Sequence, residues 1–118
     1  MKSRRTKATE IPADVKKRVE ERDSIDGHPC CIFCGSPNAR GEAHLIPRSQ
    51  SGMGVEQNLI TVCRTCHGRM DNSQARNLYL TKAVNYIKQF YPDWTPESVT
   101  YNKWDFLKGD LTNEKNNL

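Results

Sequence analysis

The sequence predicts a small α+β domain, with a two-stranded hairpin and a short helix at its centre and further helices on both sides. The chain has 118 residues, which suits one domain and excludes two independently folded ones. Two short β-compatible segments lie between two clusters of cysteines. Helical spacing of apolar residues is found towards each end of the chain. These observations together favour a hairpin and helix enclosed by terminal helices.

The composition indicates that burial of apolar groups alone does not hold this domain together. Apolar residues make up 36% of the chain and charged residues 27%, and the mean hydropathy is −0.80. Ordinary soluble domains are about 45–50% apolar. No apolar run approaches the length of a membrane span, and residues 1–10 lack the apolar core of a secretory signal. We therefore expect a soluble intracellular protein that does not associate with membranes.

The cysteines supply a candidate for the missing stabiliser. Five cysteines fall in two groups, Cys30, Cys31 and Cys34, then Cys63 and Cys66. An odd number of closely spaced cysteines without an export signal favours metal over disulfides, although a disulfide-stabilised interaction domain remains an alternative. The matched Cys-x-x-Cys spacing predicts a structural Zn²⁺ on Cys31, Cys34, Cys63 and Cys66. Cys30 is then not a ligand. The alternative is that Cys30 takes the place of Cys31 in the zinc site.

Residues 1–26 are predicted to form a basic arm and an N-terminal helix. Eight of the first 22 residues are Lys or Arg, and Val15 and Val19 are spaced for one helical face over roughly residues 10–22. Thr9 and Pro12 are suited to the start of that helix. Such a surface, with Lys16 and Lys17 upon it, could lie along phosphates, and a merely solvated helix face is the alternative.

Residues 27–73 are predicted to form the core unit. The segments Glu42 to Pro47 and Asn58 to Val62 read as strands joined by a long loop that contains Gly52 and Gly54. The second cysteine pair follows directly, and a short helix continues from it to about Asp71. A metal ion bound to both cysteine pairs would hold the hairpin against this helix.

Residues 74–107 are predicted to form a C-terminal helix and an aromatic segment, followed by a flexible tail at 108–118. The helix is indicated by Leu80, Val84, Ile87 and Tyr91 and is ended by Pro92. The aromatic residues beyond it are Trp94, Tyr101, Trp104 and Phe106. We expect them to fold back on the core, with a base-stacking surface as the alternative.

Three polar residues fall at informative positions in the core unit. His44 lies in the first predicted strand, Asn58 begins the second, and His67 follows the last cysteine. The zinc clamp should bring His44 near His67 across a shallow cleft. A neutral imidazole can take a proton from water, and a second imidazole can hold a divalent ion that stabilises charge on a phosphate. This combination favours phosphodiester hydrolysis.

The same residues resemble a known family. The string EAHLIPRS, the two loop glycines and the string QNLITVCRTCH resemble the HNH endonucleases, in particular the small zinc-bearing ones of phages and prophages. The resemblance covers residues 31–71 closely and extends more loosely to about 104. It implies a ββα-metal fold and a metal-dependent DNA endonuclease that nicks or cuts double-stranded DNA.

The resemblance also implies a role for each site residue. His44 corresponds to the general base, Asn58 to the residue that orients it, and His67 to a ligand of a catalytic divalent ion such as Mg²⁺, Mn²⁺ or Ni²⁺. The four paired cysteines correspond to the structural zinc ligands. We add Arg48 and Arg64 as phosphate contacts because of their charge and their proximity to these residues.

One position departs from the family pattern. Many members carry Asp or His directly before the first catalytic histidine as a second metal ligand, and this chain has Ala43. Asp71 lies one helical turn after His67 and is a candidate substitute, whereas Glu42 is expected on the opposite side of its strand. A zinc-stapled nucleic-acid-binding module without catalysis is therefore the alternative function.

The resemblance also implies partners and a location. DNA is the expected partner, with little intrinsic sequence preference, because one hairpin and one helix provide few base-reading side chains. A phage packaging terminase is a candidate protein partner. The expected location is the cytoplasm of a bacterial host.

Overall fold

The computed structural model describes residues 3–72 and 74–102. In chain order the elements are α1 (Arg4–Thr9), α2 (Ala13–Arg22), β1 (Ser24–Ile25), β2 (His28–Pro29), β3 (Ala39–His44), β4 (Leu59–Cys63), α3 (Arg64–Asp71) and α4 (Arg76–Phe90). This confirms the predicted combination of helices with a small sheet. Among the described residues, every helix is too short or too polar to cross a bilayer.

The N-terminal region forms two helices, so the single helix predicted over residues 10–22 is wrong at its start. α1 begins after Ser3, whose hydroxyl oxygen accepts a hydrogen bond from the Thr6 N–H at 3.1 Å. α2 begins only after Pro12. A residue that precedes proline is disfavoured in the helical conformation, so Ile11 and Pro12 interrupt the helix. Thr9 consequently ends α1 instead of capping α2.

α2 packs on the hairpin through a close approach of two backbones. Val19 of α2 is fully buried, and Gly41 of β3 lies against it. A Cβ atom at position 41 would lie 2.9 Å from a Val19 methyl group and 3.2 Å from the Lys16 carbonyl oxygen. The Gly41 N–H also donates to Glu20 Oε2 at 3.0 Å. Only glycine allows the helix to come this near to the strand.

β3 and β4 form the antiparallel hairpin at the centre. Ala39 pairs with Cys63 and His44 pairs with Leu59, and the register shifts between Arg40 and Ala43. The first strand thus runs three residues earlier than the predicted Glu42 to Pro47 at both ends. Every residue of β4 is buried, which explains its unbroken run of apolar and small residues.

The hydrophobic core lies between the hairpin, α3 and α4. Its buried members include Leu45, Ile60, Met70, Ala83, Ile87, Trp94 and Val99. Trp94 is 6% exposed, and its indole N–H donates to the Gln57 carbonyl at 2.7 Å. The prediction that the aromatic segment folds back is confirmed for Trp94. Tyr101 is half-buried, while Trp104, Phe106 and the predicted tail at 108–118 lie outside the described residues.

A buried carboxylate joins α2, β4 and α4. Asp23 follows α2 and is 5% exposed. Its oxygens accept hydrogen bonds from Arg22 Nε at 2.8 Å, from the Thr61 N–H at 2.9 Å and from the Tyr86 hydroxyl at 2.6 Å. Arg22 also donates to the carbonyl of Leu59 at 2.6 Å. Burial raises the pKa of Tyr86, and the bond to Asp23 raises it further, so this phenol stays a donor at neutral pH.

Candidate functional site

Four cysteines converge where the hairpin meets α3. The sulfur atoms of Cys31, Cys34, Cys63 and Cys66 all lie within 4.8 Å of one another, and those of Cys34 and Cys63 are 3.6 Å apart. Zn–S bonds of about 2.3 Å in a tetrahedron require sulfur–sulfur separations of about 3.8 Å. The thiol set therefore fits one tetrahedral ion.

The hydrogen bonds around Cys31 favour its thiolate, which is the form that binds metal. Burial acts to raise the pKa of Cys31, but hydrogen bonds with the main chain of Cys63, Cys34 and Phe33 outweigh it and lower the pKa to about 7. The Cys66 N–H also points to the Cys63 sulfur at 3.4 Å. Main-chain groups directed at sulfur stabilise the thiolate, which is the form that binds metal.

Cys30 lies outside this cluster. It is buried, and its thiol donates to the His28 carbonyl at 3.3 Å. Of Cys30 and Cys31, the two candidates from the sequence for the first ligand, the cluster contains Cys31.

Asn58 fixes the loop that follows His44. Its side chain is fully buried and is bonded only to main-chain groups of that loop. Asn58 Oδ1 accepts from the Ile46 N–H at 2.8 Å, and Nδ2 donates to the carbonyls of Ile46 at 3.1 Å and Met53 at 2.9 Å. The Leu45 N–H donates to the Asn58 carbonyl at 2.8 Å. Hydrogen bonds from both the side chain and the main chain of Asn58 therefore fix Leu45 and Ile46, the two residues directly after His44.

The His44 ring faces the N-terminal segment. Its Nε2 lies 3.1 Å from the main-chain carbonyl oxygen of Thr9. Burial lowers the pKa of His44 below its ordinary value, and the charges of Arg48 and His67 act in the same direction. The Thr9 carbonyl and the Glu42 main chain oppose this change without reversing it. The ring is therefore neutral at pH 7 and retains one nitrogen lone pair.

His67 is exposed on α3 and lines an open groove of about 550 Å³. The groove is also lined by Arg40, Glu42, Ala43 and Arg64. His44 is not among its lining residues, although the electrostatic influence of His67 reaches it. Of the two histidines, His67 lines the groove and His44 does not.

Glu42, which was expected on the opposite side of its strand, is among the residues that line the groove with His67. The pairing of β3 with β4 shifts between Arg40 and Ala43, and this irregularity breaks the strict alternation of sides. The Lys16 ammonium lies 2.8 Å from Glu42 Oε1 and holds the pKa of Glu42 below its ordinary value. The charges of Arg40 and His67 contribute in the same direction.

Glu42 is the one acidic residue among those that line this groove in the described part of the chain. Asp71, the candidate named from helical spacing, is exposed at the last position of α3 and is not among the groove-lining residues. The groove offers an imidazole and a carboxylate, which suit a divalent cation. Within residues 3–72 and 74–102, the four cysteines are the only group of three or more closely placed metal-binding side chains.

The predicted basic residues are in different surroundings. Arg64 lines the groove, whereas Arg48 is exposed in the turn that follows β3. Lys16 is paired with Glu42, and Lys17 is exposed on α2.

Sequence reasoning missed Arg40 and Thr9. Arg40 lines the groove, but the predicted strand began at Glu42 and left it out. An earlier strand start would have identified it. The contact of Thr9 with His44 spans 35 residues of sequence, and no local pattern indicates it.

Comparison with known proteins identifies the central unit. Residues 31–73, which are less than half of the chain, match the family model described as HNH endonuclease. The matched segment begins at the first cysteine of the cluster and ends just beyond α3. α1, α2 and α4 flank it.

One curated relative is "Anaredoxin" from Nostoc sp. (strain PCC 7120 / SAG 25.82 / UTEX 2576). It is 26% identical over 66 residues, which cover 55% of this chain and 86% of that protein. No solved structure matches.

Proposed function

We propose that this protein is a metal-dependent HNH endonuclease that hydrolyses phosphodiester bonds of double-stranded DNA. One observation carries the proposal: the segment that matches the family contains Asn58, which fixes the loop after His44, and His67, which lines a groove with Arg40 and Arg64. These are the positions that family resemblance assigns to the H, N and H residues.

His44 acts as the general base. The neutral ring takes a proton from a water molecule, and the water oxygen forms a bond to phosphorus while the bond from phosphorus to the 3′ oxygen breaks. The departing oxygen takes its proton from solvent. The pKa of His44, lowered by burial, supports this role because the ring is unprotonated at neutral pH.

His67 holds the divalent cation, with Glu42 as its neighbouring carboxylate. When bound there, a divalent cation would supply stabilisation of the charge that develops on the phosphate oxygens. Glu42 is favoured over Asp71 because it lines the groove with His67. Its ion pair with Lys16 keeps the carboxylate ionised.

Arg40 and Arg64 contact the DNA backbone along the groove. Both residues line it, so a phosphate brought to His67 would meet positively charged side chains in the same groove. Arg48 and Lys17 are exposed but are not among the residues that line the groove. Binding should weaken steeply with salt.

Zn²⁺ is the ion of the cysteine cluster. Four thiols complete a tetrahedral site without an open position, which supports a structural role and leaves His67 for the second ion.

A zinc-stapled DNA-binding module without catalysis is the second candidate. Ala43 favours it, because alanine occupies the position where many family members carry a metal ligand, and its side chain offers none. Both candidates predict DNA binding, so cleavage separates them.

The deciding experiment is cleavage of supercoiled plasmid by zinc-loaded protein with Mg²⁺, Mn²⁺ or Ni²⁺. The enzyme predicts nicked or linear product, with a loss of about 100- to 10,000-fold in His44→Ala. His28→Ala is the matched control, because this histidine is exposed, contacts the Pro37 carbonyl at 3.0 Å and does not line the groove. Equal activity of the His44 and His28 variants would contradict the assignment. Binding without cleavage under any of these ions would favour the second candidate.

DNA contact is tested with a matched pair on α3. Arg64→Ala should raise the dissociation constant for duplex DNA and reduce its salt dependence. Arg69→Ala is the control, because Arg69 is on the same helix but its Nη1 lies 3.4 Å from the Tyr79 hydroxyl and it does not line the groove. Equal effects of the two variants would indicate general charge rather than the groove.

A further inference from the structure

We propose that the N-terminal segment, residues 3–10, is a positioning part of the active site, because the main-chain carbonyl of Thr9 orients His44 and selects its tautomer. This segment lies outside the HNH domain at residues 31–73. The proposal rests on the proposed function, in which His44 is the general base. Thr9 is a positioning residue here because it acts through His44.

The contact determines which nitrogen of His44 carries the proton. The Thr9 carbonyl oxygen lies 3.1 Å from Nε2, and a carbonyl can only accept a hydrogen bond. In the neutral ring Nε2 therefore carries hydrogen and Nδ1 carries the lone pair. A ring free to exchange tautomers would present its lone pair at either nitrogen, so this contact keeps the basic nitrogen in one place.

The carbonyl is available because α1 ends there. The last carbonyls of a helix have no partner within it, and the break before Pro12 leaves that of Thr9 in the last turn of α1. Thr9 itself is 2% exposed. The hydrogen bond to His44 is thus made in a water-poor setting, where an orienting bond is most effective.

The segment is attached to the same loop that Asn58 holds. The Gly54 N–H donates to the Ala8 carbonyl at 2.9 Å. Arg5 Nη2 donates to the Arg48 carbonyl at 2.6 Å, and Arg5 Nε donates to Ser51 Oγ at 2.9 Å. Asn58 Nδ2 donates to the Met53 carbonyl of this loop at 2.9 Å. The segment that carries Thr9 and the side chain of Asn58 therefore both hold the loop that follows His44.

Gly54 shows how close this docking is. A Cβ atom at position 54 would lie 1.8 Å from the Glu10 carbonyl oxygen, so any other residue must displace the segment. We therefore expect the substitution Gly54→Ala to move Thr9 away from His44 while the His44 side chain itself is unchanged. Arg5→Ala loosens the same segment from a second point.

The test combines imidazole nitrogen NMR with cleavage kinetics on the full-length, zinc-loaded chain. The protein has three histidines, and the His28→Ala and His67→Ala spectra identify the signals of His44. The wild type should show a protonated Nε2 and a bare Nδ1. Gly54→Ala and Arg5→Ala should show a mixture of tautomers at His44. They should lower kcat by about 10- to 100-fold with little change in KM, as expected for a misplaced catalytic group.

Lys7→Ala is the matched control, because Lys7 is an exposed cation of the same helix. It should leave both the His44 tautomer and kcat unchanged. Zinc content and far-ultraviolet circular dichroism verify that each variant is folded, and Arg5→Ala continues the test if Gly54→Ala does not fold.

An unchanged His44 tautomer in the folded variants would overturn the proposal. So would faster cleavage by them, because the Thr9 carbonyl would then block the base. The two proposals can fail separately. If the wild type does not cut DNA, the endonuclease function fails, and the NMR comparison still decides whether Thr9 sets the tautomer.

Discussion

At the scale of single residues, the site depends on differences between chemically equivalent side chains. The chain has three histidines, and their surroundings separate them. His28 is exposed against a loop carbonyl, His44 is directed to Thr9, and His67 opens on the groove. The proposed base and metal ligand are thus distinguished by what each ring faces.

The surroundings of His44 predict the acidic limit of activity. Because burial lowers the pKa of His44, the ring stays unprotonated at a pH where an ordinary histidine, with a pKa of about 6.5, begins to take up a proton. The midpoint of the acidic fall in the rate at saturating metal should therefore lie below the ordinary histidine value of about 6.5. A pH profile of plasmid cleavage measures this. A midpoint above the ordinary histidine value would contradict it.

Glu42 and Asp71 are the two candidates for a carboxylate ligand of a metal ion bound at His67. Glu42→Gln should weaken Mn²⁺ binding to the DNA-free, zinc-loaded protein, whereas Asp71→Asn should have little effect, because only Glu42 lines the groove. Even groups that merely support a ligand change metal affinity by about 10-fold or more. Isothermal titration calorimetry measures the difference, with Glu21→Gln on the exposed face of α2 as the control. A larger loss in Asp71→Asn would assign the ligand to α3.

At the scale of elements, a buried polar junction fixes how α2 and α4 meet the hairpin. Asp23 receives hydrogen bonds from Arg22, from the main chain of β4 and from Tyr86 of α4. α2 in turn lies against β3 through Gly41. The flanking helices are therefore fixed to the strands that carry the site.

Asp23→Ala should lower the free energy of unfolding by about 3 to 5 kcal/mol, because it leaves the Arg22 charge, whose side chain is 10% exposed, without its carboxylate. Tyr86→Phe removes one of the three bonding partners and should cost about 1 kcal/mol. Urea unfolding at saturating zinc measures both. Glu21→Ala, exposed on α2, is the control and should stay within about 0.5 kcal/mol of wild type. A small effect of Asp23→Ala would show that the junction is not needed for stability.

At the scale of the whole molecule, we expect both the cysteine cluster, once it binds metal, and the hydrophobic core to stabilise the fold. Apolar residues are 36% of the chain, and the cysteine cluster joins the turn before β3 to the start of α3. A metal ion bound to the cluster would therefore link the two ends of the segment that contains His44 and His67.

Removal of zinc should therefore unfold the protein, because structural zinc supplies on the order of 10 kcal/mol of apparent binding free energy. Each of Cys31→Ser, Cys34→Ser, Cys63→Ser and Cys66→Ser should lose the fold, whereas Cys30→Ser should keep it, since its thiol lies outside the cluster. Circular dichroism before and after chelation measures this. A near-native spectrum after complete chelation would contradict the prediction.

Local spacing in the sequence determined the fold class, the four-cysteine set, and the order of His44, Asn58 and His67 on a hairpin and helix. Such features can be read directly because ligand spacing and strand or helix periodicity involve neighbours in the chain. Tertiary structure alone decided that Thr9 faces His44, that Glu42 shares the groove with His67, and that Asp23 joins three elements. The first contact depends on where Pro12 breaks the helix, the second on a register shift in β3, and the third on how α2 packs. Each results from the path of the backbone in space, which no local pattern of side chains specifies.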